Sequence, residues 1–129
     1  MSASTIATGV PAYVLISGPE GVLAERALDS TLEALRDRDP DLEVIKLYSD
    51  GYQSGSLTMH ASPSLFGGRK AIVVLDLDEA PEELQADLLA YLAQPADDIN
   101  LVVAHKSGAR GKKVLDTLKK AGARVIDAP

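Results

Sequence analysis

Two stretches of this 129-residue chain set carboxylates, glycines and a hydroxyl where phosphate chemistry could be done. Ser17-Gly18-Pro19-Glu20-Gly21 follows an apolar run and opens a helical pattern, the position of a phosphate-binding loop. Such a loop needs Gly-Lys-Ser/Thr at the helix start, the lysine to neutralise the terminal phosphates and the hydroxyl to ligate magnesium. No lysine precedes Lys46, and Glu20 would repel a phosphate, so the segment reads as a Gly-Pro turn entering an acidic helix N-terminus. Val73-Val74-Leu75-Asp76-Leu77-Asp78-Glu79 mimics the apolar strand and carboxylates that hold magnesium beside a nucleotide. Without the first loop it has no nucleotide to serve, and its acids read as the N-terminal cap of the next helix.

Other chemistries fail on spacing. A phosphoacceptor aspartate at Asp76 would need paired acids after the first strand, Ser/Thr after the fourth and Lys after the fifth. The chain offers Gly18-Pro19-Glu20, His105-Lys106 and Asp127-Ala128 instead. Neither histidine, His60 or His105, has a nucleophile on a turn motif beside it, and Ser17-Gly18 lacks the nucleophile elbow. The two histidines show no metal-ligand spacing, and the absence of cysteine excludes disulfides and thiolate metal sites. We therefore expect no catalytic residue, no metal and no cofactor.

What remains is binding. Ser62-Pro63-Ser64-Leu65-Phe66-Gly67-Gly68 holds the only phenylalanine, beside a leucine, in a segment built like a surface loop. Pro63 pushes Ser62 toward an extended conformation, while Gly67 and Gly68 allow a tight reversal. Leu65 and Phe66 either cap the domain's own core, as large apolar residues mostly do, or form a plug for another protein's pocket. A second candidate is Lys106-Ser107-Gly108-Ala109-Arg110-Gly111-Lys112-Lys113, a basic turn entering a helix, where cations and backbone amides could grip a phosphate backbone. Charge patterning isolates it. Residues 1–104 hold 6 Lys/Arg against 17 Asp/Glu, a balance of −11, and residues 105–129 hold 7 against 2, a balance of +5. An acidic body with one basic patch argues against nonspecific nucleic-acid coating but leaves a local phosphate contact open.

These segments need a scaffold, and five β-rich runs alternating with helical patterns supply one. The strand runs are 13–17, 43–48, 71–76, 99–104 and 123–126. The first, third and fourth are almost continuously apolar, as in strands covered on both faces, while the second alternates like an edge. Helices are expected over 20–38, with Leu23, Ala27, Leu28, Thr31, Leu32 and Leu35 as its apolar stripe, and over a short stretch at 54–61. A third starts at Pro81 and runs to Gln94, with Leu84, Leu88, Leu89, Tyr91 and Leu92 facing inward; a fourth spans 110–121, burying Val114, Leu115 and Leu118. The fold class is α/β: a three-layer sandwich on a five-stranded parallel sheet with right-handed crossovers. At 46% hydrophobic and 25% charged the chain is an ordinary globular domain, and no apolar run reaches the roughly 20 residues of a membrane span. Residues 1–11 read as a flexible leader and 12–129 as one domain.

The motifs, in order and spacing, resemble the N-terminal domain of the delta subunit of bacterial DNA polymerase III, a clamp-loader subunit. They are Gly18-Pro19-Glu20 followed by Leu23-Ala24-Glu25-Arg26-Ala27; Ser64-Leu65-Phe66-Gly67-Gly68-Arg69-Lys70 leading into Ile72-Val73-Val74-Leu75; and Leu88-Leu89-Ala90-Tyr91-Leu92 before Leu101-Val102-Val103. The last is Gly111-Lys112-Lys113-Val114-Leu115 through Lys120-Ala121-Gly122-Ala123-Arg124-Val125. The resemblance implies an AAA+-like, P-loop-NTPase-like sheet without a functional nucleotide site, in agreement with the missing lysine. It implies that Leu65 and Phe66, flanked by Pro63, Ser64 and Gly67, act as a hydrophobic wedge in a surface pocket of the sliding clamp (the beta subunit), loosening one interface so that the ring opens for loading onto DNA. Pro63 stands where a larger apolar residue can assist that pair, so the contact is expected to be smaller. The implied partners are the clamp, the other clamp-loader subunits and, weakly, DNA through Lys106, Arg110, Lys112 and Lys113; the implied location is cytoplasmic. The family's later helical and collar domains do not occur in this chain, which reads as a non-catalytic part of the polymerase assembly. Two competitors stand beside this reading: a degenerate or active P-loop nucleotide hydrolase, favoured by Asp76-Leu77-Asp78-Glu79, and an interaction domain in which Leu65 and Phe66 are core.

Overall fold

The computed structural model describes residues 12–62 and 68–128. Five strands, β1 (Tyr13–Ser17), β2 (Glu43–Tyr48), β3 (Lys70–Leu75), β4 (Ile99–His105) and β5 (Arg124–Asp127), form one sheet in the order β2-β3-β4-β1-β5 with every pairing parallel. The crossovers carry α1 (Gly21–Arg38), α2 (Ser56–His60), α3 (Glu82–Ala93) and α4 (Lys112–Lys120). The fold class expected from the alternation of runs is the one observed. The three continuous apolar runs are the three inner strands, and the alternating second run is an edge.

Side-chain alternation along the strands explains the three layers. In β1, Tyr13 and Leu15 enter one apolar cluster with Leu57 of α2, Leu84, Leu88 and Tyr91 of α3, and Val114 and Leu118 of α4. Val14 and Ile16 enter a second cluster with Leu28, Leu32 and Leu35 of α1. The β1-to-β2 crossover runs one way across the sheet and the other three run the opposite way. One handedness therefore puts α1 alone on one face and α2, α3 and α4 on the other.

The α1 stripe departs from expectation at one residue. Leu28, Thr31, Leu32 and Leu35 are buried, with the Thr31 hydroxyl donating to the Ala27 carbonyl at 2.8 Å, but Leu23 is 41% exposed. At 100° per residue Leu23 stands about 120° round the helix from the centre of the buried set, so the sheet cannot reach it. Leu89, Leu92 and Leu115 are only partly buried and pack against the rim of the larger cluster. The short helix is two residues tighter at its start and one at its end than the pattern suggests. The third strand stops at Leu75, because Asp76 takes a left-handed conformation and a single 3-10 turn (Leu77–Glu79) precedes α3.

Residues 1–11, read as a leader, and Pro63, Ser64, Leu65, Phe66 and Gly67 lie outside the described residues.

Candidate functional site

The carboxyl ends of the strands, where open α/β sheets usually bind ligands, are closed by the chain's own groups. The Gly18 N–H donates to the His105 carbonyl at 3.0 Å and the Glu20 N–H to the Ala128 carbonyl at 3.1 Å. Ala128 in turn donates its N–H to the Ser17 carbonyl at 2.7 Å, so the chain leaving β5 lies across the turn. The Glu20 carboxylate accepts from the Val22 N–H at 3.0 Å and caps α1. The Gly18, Glu20 and Val22 amides, which could help cradle a phosphate, are thus engaged, and the Glu20 carboxylate stands among them. Behind the turn lies a cleft of about 240 Å³ floored by Ile16, Ala24, Leu28, Leu75 and Ala104, with Asp76 and Lys106 at its rim. It is smaller than the roughly 300–1,000 Å³ of ordinary ligand pockets, and its floor is apolar. Titration with a fluorescent ATP analogue and magnesium is expected to stay flat; saturable micromolar binding would revive the hydrolase reading.

The acidic run does not cap α3, whose first turn follows Pro81 and receives no side-chain bond from Asp76, Asp78 or Glu79. The cap expectation is corrected: two of these carboxylates hold the neighbouring turn instead. Asp78 Oδ1 accepts from the Lys106 N–H at 2.9 Å, and Asp76 Oδ1 lies 3.4 Å from Lys106 Nζ. Arg110 donates to the Ala80 carbonyl at 3.2 Å, and the buried His105 ring meets the Arg110 carbonyl through Nε2 at 2.9 Å. Asp76 is the one non-glycine residue with a positive φ among the described residues, at +57°. The Ser49 hydroxyl supports it, reaching the carbonyls of Leu75 and Asp76 at 2.8 and 2.7 Å. The acidic run, expected to cap α3, and the basic segment, expected to meet an outside partner, are therefore in part each other's partners.

The proposed phosphate-binding set divides accordingly. Lys106 and Arg110 brace the turn between β3 and α3. Lys112 and Lys113 are exposed at the start of α4, Lys112 paired with Asp116 at 3.7 Å. Lys119 and Lys120, each seven residues on, are exposed at the end of the same helix, with Arg124 exposed just after it. Sequence reasoning passed over these three, although the i, i+7 repeat was readable.

The described residues that bracket the Leu-Phe segment, Ser62 and Gly68, lie at the opposite pole of the sheet. They stand between α2 and the amino end of β3, away from the turns at 18–20, 76–80 and 105–111. On the α2 side, Asp87 of α3 accepts from the Tyr52 hydroxyl at 2.5 Å and the Gly55 N–H at 2.8 Å, and the Tyr52 oxygen accepts from the Leu57 N–H at 3.0 Å. Burial, with the Asp87 contact behind it, pushes the Tyr52 hydroxyl up to about 12. A phenol whose value rises on folding favours the fold below its unfolded value near 10, and that contribution is lost as pH climbs from about 10 to 12. Alkaline titration is therefore expected to loosen α2 in that window, read by amide exchange at Leu57. Met59 of α2 is 64% exposed at this same pole, and Leu57 is fully buried.

A family model described as DNA polymerase III, delta subunit, matches residues 16–128. Among solved structures, the DNA clamp loader delta protein of Bacillus subtilis is similar, with a TM-score of 0.59 and 19% identity over 92% of this chain and 38% of that one. A gamma subunit-related protein of DNA polymerase III from Thermotoga maritima also has a TM-score of 0.59, with 18% identity over 96% of this chain and 42% of that one. At those identities the likeness is one of fold, and the chain spans less than half of either structure. No curated protein matches the chain significantly. With its model matched across nearly all of the sheet and helices described above, the chain belongs to the DNA polymerase III delta subunit family.

Proposed function

We propose that this chain is a sliding-clamp-binding domain of a clamp loader, non-catalytic itself, that engages the clamp through Leu65 and Phe66 and helps open the ring. The observation that carries the reading is the family match over residues 16–128, which takes in the Leu-Phe segment and both of its flanks. Two features of the fold support it. Ser62 and Gly68, the described residues that bracket the segment, lie between an anchored α2 and the amino end of β3, at the pole away from the engaged turns. An aromatic and an aliphatic anchor side by side are also the residue types that concentrate interface energy. Pro63, Ser64 and Gly67 shape the segment in this reading, and the other loader subunits join through regions of the longer relatives that this chain does not span. Cytoplasmic replication is the setting that goes with it.

The direct test is an isotherm of this chain against the sliding clamp of the same organism. Saturable binding supports the reading, and its absence at tens of micromolar sinks it.

DNA contact, if the assembly makes one here, falls to the exposed cations of α4, Lys112 and Lys113, rather than to Lys106 and Arg110. Reversing the charge at Lys112 and Lys113 is expected to lower the salt dependence of DNA binding by the reconstituted loader, by about one unit of slope for each phosphate no longer neutralised. An unchanged slope assigns both lysines to plain surface.

A further inference from the structure

Two adjacent basic residues, Arg69 and Lys70, follow the Leu-Phe segment and direct their charges at oxygens of the chain just before that segment and of the chain entering β4. Lys70 Nζ donates to the His60 carbonyl at 2.9 Å and to the Ser62 carbonyl at 3.0 Å, holding the last turn of α2 and the point where the chain leaves it. Arg69 Nη1 donates to the Asp97 carbonyl at 3.3 Å, and Nη2 to the side-chain oxygen of Asn100, itself buried, at 2.9 Å. The backbone continues the arrangement: the Arg69 carbonyl accepts from the Glu43 N–H at 3.2 Å, and the Lys70 N–H donates to the Asp98 carbonyl at 3.0 Å. The exit at Ser62 is thus tied to β3 itself, and the return at Arg69 to both neighbouring strands.

We propose that Arg69 and Lys70 are positioning residues for clamp binding, fixing where the chain leaves and re-enters the domain on either side of Leu65 and Phe66; this rests on the reading of those two residues as clamp anchors. The physical case is one of geometry and entropy. Charged donors on carbonyls form strong hydrogen bonds, and fixing both stems lowers the ordering cost of presenting two anchors to a rigid pocket. Neither cation is needed for the apolar core, which closes without them.

The test is a thermodynamic cycle on clamp affinity in this chain. Lys70→Met keeps the aliphatic stem and removes the charge; it is expected to weaken clamp binding about tenfold, with Lys70→Arg recovering most of the loss. In a background already carrying Leu65→Ala and Phe66→Ala, Lys70→Met is expected to change affinity by less than twofold, because there is nothing left to position. Melting temperatures measured alongside identify a merely unfolded variant, for which Arg69→Met supplies a second reading. If the anchors prove essential while folded Lys70→Met binds like the parent, or if its effect is the same with and without the anchors, the positioning role is overturned. If removing the anchors leaves affinity intact, the anchor reading itself fails.

Discussion

Replacing Leu65 and Phe66 together with Ala is expected to weaken the clamp complex by about 2–4 kcal/mol, the range of anchor residues at an interface centre. The same double variant is expected to melt within a few degrees of the parent. The competing reading gives the opposite pair of results: a core phenylalanine truncated to Ala costs about 3–5 kcal/mol of stability through lost burial and a cavity. That would lower the melting temperature of a domain this size by roughly 10 °C or more. The described core favours the first outcome. Its two clusters are filled from both faces by α1, α2, α3 and α4 and by the inner strands, with Leu57 of α2 and Leu84 of α3 already fully buried. A thermal melt beside a clamp isotherm decides, since preserved melting with abolished binding and collapsed melting with residual binding cannot both occur.

How far the sequence discloses this molecule depends on the range of each interaction. Strand and helix positions follow from local apolar periodicity, and they are found within a residue or two of where Val14, Ile72 and Leu101 place them. The continuous runs even separate inner strands from edge, because burial on both faces leaves no room for polar alternation. The functional turns are less legible. That Asp78 would hold Lys106 rather than cap α3 depends on a pairing 28 residues apart, and the adjacent Pro81 invites the local reading. The ends of Lys70 and Arg69 are harder still, because three of their four acceptors are backbone carbonyls, which every residue carries and no side-chain pattern announces. The motif that names the family runs through both residues, yet gives them no task until the fold brings His60, Ser62 and Asp97 beside them.

The second large effect is expected at Gly18. Its φ is +140°, a region that residues with a side chain rarely occupy. A Cβ there would also lie 2.2 Å from the Ala128 carbonyl oxygen, backbone that can move only if the end of β5 moves with it. Gly18→Ala is therefore expected to cost about 2–4 kcal/mol, backbone strain and displacement of the closing segment together, and to lower the melting temperature by ~10 °C. Gly21 provides the matched control: it begins α1, and an added Cβ there meets nothing within 4 Å. Gly21→Ala should melt at or slightly above the parent, since a compatible Gly-to-Ala change mainly restricts the unfolded chain. Because Gly18 lies at the pole opposite Ser62 and Gly68, which bracket the Leu-Phe segment, the folded fraction of Gly18→Ala is expected to bind the clamp with parental affinity. Equal melting of the two alanine variants would mean that Ala128 does not close the turn, and the engaged-amide argument against a nucleotide there would fall with it.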